Sequence, residues 1–265
     1  MMNKNLQIIK FAAGLEYDGS NYHGWQIQKA GILSVQFEVE KAISMIANHK
    51  IEVFCSGRTD AYVHSIGQVI HFETHAIRKN ISWILGINSY LPKNISIQWI
   101  KQVSDVFHAR YSAISRAYRY IIYNNVIRSA ILKNRVHFEH ILLNVQAMHQ
   151  ASQLLIGEYD FSSFRSKKCQ SRTPFRKIIS MDVYKWNKFI FVDIEANSFL
   201  QYMARNIIGC LLEIGKMKQN ISWIMSVLKK KNRFFCAPTA NPSGLYLLNV
   251  KYPNFFKLPI TYNQE

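Results

Sequence analysis

The segment Gly57-Arg58-Thr59-Asp60-Ala61 places a carboxylate two residues from a guanidinium, in a chain that has 16 Asp plus Glu against 33 Lys plus Arg. An ionised Asp60 on a loop can act as a nucleophile or a base, yet an aspartate in a turn equally caps main-chain N–H groups, so the segment alone leaves both readings open. A second feature bears on it. In FLQYMARNIIGCLLEIGKM (199–217) the only charge between Phe199 and Leu212 is Arg205, set among Met203, Ile207, Ile208 and Leu211. A guanidinium buried without a partner costs on the order of several kcal/mol, and Glu213 is two turns away. A loop carboxylate could accept from it bidentately, which makes Asp60 the candidate partner and would keep that carboxylate ionised and oriented. The alternative is that Arg205 snorkels to solvent or binds a phosphate. Tyr118 and Tyr120 of SRAYRYIIYN share one face of a strand by its period of two, so only one of them need leave the core.

Charge points to a partner. The net +17 is spread from Lys4 to Lys257, and a polyanion is its natural counterpart, although a proteome rich in Lys, Asn and Ile could produce the same excess by drift. FHARY (107–111) and FRSKKCQSRTPFRK (164–177) interleave cations with aromatic and small polar side chains, as contacts to phosphates and unpaired bases require. Metal chemistry is not indicated: His71-Phe72-Glu73 has no following P-C-x-x-C, and HFETH (71–75) is not H-E-x-x-H. With no Walker loop and no dinucleotide fingerprint, no cofactor is expected. Cys55, Cys169, Cys210 and Cys236 form no C-x-x-C pair and suit a reducing compartment. The basic start of the chain, interrupted at Lys10, makes a poor leader, and no apolar run reaches membrane length, so a cytoplasmic protein without a membrane partner is expected.

The elements that must position these residues follow from periodicity. A strand is expected at 7–17, then a helix from Ser34 as N-cap to about Asn48 with Val35, Val39, Ala42, Ile43 and Ile46 inward. Strands near 51–55 and at GQVIHFE follow, then a helix at 80–90 stopped by Leu91-Pro92, and a strand at 95–103. The second half reads as a strand at 114–125, a helix at 142–156, a hairpin turning at Trp186-Asn187-Lys188, helices at 199–217 and 221–230, and a strand at 244–252. The order predicts an α+β protein of two tandem ferredoxin-like (RRM-like) units, 1–105 and 106–265, sharing an extended, mostly antiparallel sheet with helices on one side and a central cleft.

Six segments in order, YDGSNYHGWQIQ (17–28), GRTDAYVHSIGQVIHF (57–72), FHARYSAISRAYRY (107–120), GEYDFSSFR (157–165), FLQYMARNIIG (199–209) and GLYLLNVKYP (244–253), resemble the successive motifs of the tRNA pseudouridine synthase A family. The resemblance covers essentially the whole chain. It implies a homodimer of two-domain subunits that isomerises uridine to pseudouridine at positions 38, 39 and 40 of tRNAs without metal or cofactor. It also implies Asp60, Tyr118 and Arg205 as catalytic residues, with Tyr118 and Arg58 at the substrate. Arg58 would fill the space left when the uridine leaves the stack. RNA contacts are then expected from Arg58, Arg78, Phe107, His108, Arg110 and Tyr111, and from Lys168, Gln170 and Arg172. The chain departs from the pattern where members commonly carry Gly and it has Tyr62, where helix histidines are replaced by Gln201 and Tyr202, and at Tyr159. A positive φ at residue 62 would force the loop to adapt.

Overall fold

The computed structural model describes residues 7–29 and 31–259; the basic start of the chain lies outside them. Two compact units are formed by the described residues of Met1–Ile114 with Leu247–Glu265, and by Ser115–Tyr246. The strands pair mostly antiparallel, and the elements mix strand and helix in an α+β arrangement. Among the described residues no helix is long and apolar enough to cross a membrane.

In the first unit the chain runs β1 (Ile9–Tyr17), α1 (Val35–Ala47), β2 (Phe54–Cys55), β3 (His64–Thr74), α2 (Asn80–Tyr90) and β4 (Ile95–Gln102). Its strands lie in the order β4, β1, β3, β2, each antiparallel to its neighbour. Phe11, Phe72 and Trp83 form an aromatic cluster, with ring centroids 5.7–5.9 Å apart, between this sheet and α2. Around it α1 buries Val35, Val39, Ala42 and Ile43 as its apolar spacing predicts, and Ala47 completes the face where Ile46 is only partly covered. Ser34 occupies the expected cap position with extended φ and ψ, but its hydroxyl makes no capping bond. Asn48, left-handed at φ 60°, ends the helix. β3 begins at His64, earlier than the alternation of GQVIHFE suggested, because Ser65 already pairs with Tyr17.

The second unit contains β5 (Ser115–Asn124), β6 (His137–Glu139), α3 (Val145–Gln153), β7 (Gly157–Asp160), β8 (Phe175–Trp186), β9 (Phe189–Ala196), α4 (Met203–Gly215) and α5 (Trp223–Lys230). β5, β9, β8 and β7 pair antiparallel in that order, and β6 lies parallel to β5. The hairpin turns where expected, with Asn187 accepting φ 54°, a value asparagine tolerates better than most residues. β6 and β7 were not anticipated; three and four residues are too few to show a period. α4 starts four residues later than its apolar pattern, because Tyr202 sits at φ 67° and the preceding residues form a turn. Lys216, just beyond α4, pins it to β6 through an ion pair with buried Glu139 at 2.8 Å. β10 (Leu245–Lys251) begins in the second unit, and from Leu247 onward it belongs to the first.

Candidate functional site

Asp60 stands on the connection between β2 and β3, half-buried, with Arg58 exposed beside it. The loop around it is held by buried polar groups. Thr59 shares a 2.8 Å hydrogen bond with Tyr17 Oη. Gln68 Nε2 donates to the Gly57 carbonyl at 2.9 Å and also reaches Tyr17 Oη at 3.4 Å. Ser56 Oγ donates back to Gln68 Oε1 at 2.7 Å. The main chain adds Trp25 N–H to the Thr59 carbonyl at 3.1 Å, Tyr62 N–H to the Tyr22 carbonyl at 3.1 Å, and Val63 N–H to the Asp60 carbonyl at 3.2 Å.

Gly24 makes this contact possible. It takes φ +97°, and a Cβ there would lie 2.8 Å from the Thr59 carbonyl oxygen and 3.1 Å from the Asp60 carbonyl carbon. The loop is therefore held from several sides by Tyr17, Tyr22, Gly24, Trp25 and Gln68. Tyr62 does adopt the positive φ, 65°, at the place where the motif prefers glycine; its ring is exposed and lies 5.8 Å from that of His23.

In the second unit Tyr118 and Tyr120 share the inner face of β5, as the period of two requires. Tyr120 is the core residue: fully buried, with its hydroxyl donating to the Asn241 carbonyl at 2.8 Å, and burial pushes its phenol far above the ordinary range. Tyr118 retains 8% exposure and meets Phe199 edge-on at 4.9 Å. Arg205 is half-buried in α4. Its Nε donates to the Ala240 carbonyl at 2.9 Å, and its guanidinium carbon lies 5.0 Å from the centroid of the Tyr202 ring. Ala240 N–H returns a bond to the Arg205 carbonyl at 3.1 Å. This zipper of helix and strand-bound segment needs Gly209, where a Cβ would lie 2.2 Å from the Pro238 carbonyl oxygen. Glu213 faces Lys216 and Lys218 instead.

The segments expected at RNA divide into supports and outward groups. Phe107 is a correction: it is fully buried, packed on Tyr252 and Phe256 at 5.3 and 5.0 Å, so it anchors FHARY and presents no ring to a ligand. His71 is buried beneath the same segment and accepts from Ala109 N–H at 3.1 Å. Burial, reinforced by His108 and Lys10, holds His71 down at about 4, so it is neutral. On this base His108 packs against Tyr111, the rings tilted with centroids 4.3 Å apart, and Arg110 lies 5.6 Å from the Tyr111 centroid, with Arg110 and Tyr111 both exposed.

Arg78 is exposed and donates through Nε to the Ile46 carbonyl. Lys168, Gln170 and Arg172 project from the loop before β8. In that loop Phe164 is buried against Phe161, while Arg176 is nearly buried and braces the turn by donating to the Thr173 carbonyl and Ser171 Oγ. Arg176, Gln68, Thr59, Gly24 and His71 were missed as supports. The glycines and aromatics of YDGSNYHGW were a signal for Gly24; Gln68, Thr59 and His71 have none, because their partners are distant in sequence, and Arg176 reads as one more cation of a basic run. Among the described residues no group of three or more His, Cys, Asp or Glu could hold a metal ion.

Comparison with known proteins adds the relatives. The family model described as tRNA pseudouridine synthase matches residues 13–112 and 151–253. A protein named tRNA pseudouridine synthase A from Buchnera aphidicola subsp. Baizongia pistaciae is 56% identical over 254 residues, covering 96% of each chain. Proteins of the same name from Haemophilus influenzae and Histophilus somni are 52% and 51% identical, each over 95% of this chain and 93% of the relative.

Proposed function

The chain belongs to the tRNA pseudouridine synthase family, and from that premise we propose that it isomerises uridine to pseudouridine at positions 38, 39 and 40 in the anticodon stem-loop of tRNAs. The reaction breaks the N1–C1′ glycosidic bond, turns the uracil and rejoins it through C5. There is no net redox change and no acceptor, so side chains suffice. Asp60, held on its braced loop, is the nucleophile that attacks C1′; the alternative route, removal of a sugar proton to give a glycal, uses the same carboxylate as a base. Arg205 keeps Asp60 ionised and oriented, its guanidinium anchored on one side by the Nε bond to the Ala240 carbonyl. Tyr118, less covered than Tyr120, stacks on the uracil and assists loss of the C5 proton. Arg58 enters the stack in place of the extruded uridine.

The finer architecture is read in the same way. The order β4, β1, β3, β2 supports a ferredoxin-like first unit, and we take 1–105 and 106–265 as tandem domains of that kind. They would share one sheet, with helices on one side and a cleft bringing Asp60 to Tyr118 and Arg205. The enzyme would act in the cytoplasm as a homodimer without cofactor. Outward Arg58, Arg78, His108, Arg110, Tyr111, Lys168, Gln170 and Arg172 would carry the tRNA.

The observation that carries the catalytic assignment is the Asp60 loop, which is held by buried side-chain and main-chain hydrogen bonds that a merely charged surface turn does not need. Tritium release from tRNA labelled at uridine C5 tests it. The parent protein is expected to release tritium and Asp60→Asn to release none while binding tRNA equally well. Binding without release by the parent would mean a non-catalytic RNA-binding protein and would overturn the proposal.

A further inference from the structure

Cys210 and Cys236 lie outside the machinery just described, yet their sulfurs stand 3.3 Å apart. Neither position is accidental. Cys210 is fully buried on α4, and Cys236 follows the short turn Arg233–Phe235, half-buried and within reach of solvent. Contacts that do not involve sulfur hold the two backbones together. Thr239 Oγ1 donates to Asn206 Oδ1 at 2.7 Å, and Arg233 Nη2 donates to the same atom at 3.2 Å. Arg233 Nη1 donates to the Cys236 carbonyl at 3.1 Å, and Gly209 lets the Pro238 carbonyl approach the helix. Closing the sulfurs to a bond of ~2.05 Å asks for a movement of ~1 Å, which side-chain rotation can supply.

We propose that Cys210 and Cys236 form a dithiol modification site that a disulfide-class oxidant converts to an intramolecular disulfide, with Cys236 attacking and Cys210 resolving. The surroundings separate the two roles. The two thiols share a hydrogen bond, and this bond together with the Arg233 charge and the Ala237 main chain lowers the Cys236 thiol against the opposing effect of burial. The same bond and burial raise Cys210. Cys55, by contrast, is pushed up to about 12 by burial and has no sulfur partner among the described residues.

In the first step the Cys236 thiolate attacks one sulfur of the oxidant, breaking its S–S bond and expelling a thiolate. In the second, Cys210 gives up its proton and attacks the Cys236 sulfur, expelling the second thiolate. Two protein thiols are oxidised and one disulfide is reduced to two thiols. The product ties α4 to the segment whose Ala240 carbonyl accepts from Arg205, so the modification clamps the support of that side chain.

The test treats the full chain with oxidised glutathione and maps thiols by peptide mass spectrometry. The parent is expected to give a Cys210–Cys236 peptide pair lacking two hydrogens, reversed by dithiothreitol, and to melt at higher temperature than the reduced protein. Cys210→Ser, or Cys210→Ala should the hydroxyl disturb the buried site, is expected to accumulate a glutathione adduct on Cys236. Cys236→Ser is expected to give neither cross-link nor adduct at Cys210. A parent that stays unlinked while both thiols remain open to alkylation after unfolding would overturn the site. So would an adduct confined to Cys55 or Cys169. An adduct on Cys210 in Cys236→Ser would overturn the order of attack, and an unchanged or lower melting temperature would overturn the undistorted closure.

Discussion

The loop that carries Asp60 and the loop that carries Lys168, Gln170 and Arg172 are both irregular, both lead into a strand, and are held in different ways. The first is fixed by Tyr17, Thr59, Gln68 and Ser56 and by main-chain bonds to Trp25 and Tyr22. The second is held mostly by short-range bonds, from Arg176 to its own neighbours and at Ser166, Ser171 and Thr173, with a main-chain bond from Ser166 N–H to the Gln201 carbonyl, and it leaves its cations in solvent. The difference suits the two tasks proposed for them. Bond making tolerates errors of only a fraction of an ångström, whereas attraction to phosphates depends on charge and falls slowly with distance.

The comparison breaks most readily at Gly24. Gly24→Ala places a Cβ against the Thr59 carbonyl at a φ that L residues avoid, and is expected to cost about 2–4 kcal/mol of stability and most of the turnover, read by thermal melting and tritium release. Acid probes another buried support. Because folded His71 is held neutral down to about 4 while an unfolded histidine binds a proton near 6.5, protonation favours the unfolded chain. Stability is therefore full above about 6.5 and is lost as pH falls toward 4, by roughly 3 kcal/mol, and denaturant titration should show this slope flattened in His71→Gln.

Thr59→Val removes one bond of the Asp60 frame. It is expected to cost about 1 kcal/mol and to lower kcat with tRNA affinity unchanged. Lys168→Ala with Arg172→Ala should do the reverse, weakening tRNA binding about tenfold and reducing the salt slope by roughly 0.7–0.9 per lost contact, with kcat at saturation preserved. A lowered kcat in this pair, or weakened binding in Thr59→Val, would erase the distinction between the loops. Tyr62→Gly is the smallest change. It relieves a left-handed tyrosine at the cost of a more flexible unfolded chain, for a net gain of about 0.5 kcal/mol in a denaturant melt.

Periodicity located the long strands and helices because each buries one continuous face; Val35, Val39, Ala42 and Ile43 are an example. It misplaced the start of α4, where Tyr202 adopts a conformation its residue type does not announce, and it passed over β6 and β7. Asp60 and Arg205 stand out as candidates in the sequence because a carboxylate is scarce in this basic chain and a charge is scarce on the apolar stretch around Arg205. Their supports were not, since Gln68 meets Tyr17 and Arg205 meets Ala240 across stretches that no local pattern spans. Phe107 shows the opposite failure: an aromatic beside cations reads as a stacking platform, but the fold uses it as a foundation.

The division of β10 between the units bears on the order of events during synthesis. The first unit is built from two pieces of chain, and the Leu247 carbonyl that receives Ser65 Oγ at 3.1 Å is made only after all of Ser115–Asn241 has been. While the ribosome is still extending the chain, the β3 side of the first unit waits without that neighbour, whereas the second unit is contiguous and has nearly all its strands in hand. The half that bears Asp60 is thus begun first and finished last, so the Asp60 loop acquires its complete sheet only when nearly all of the protein exists.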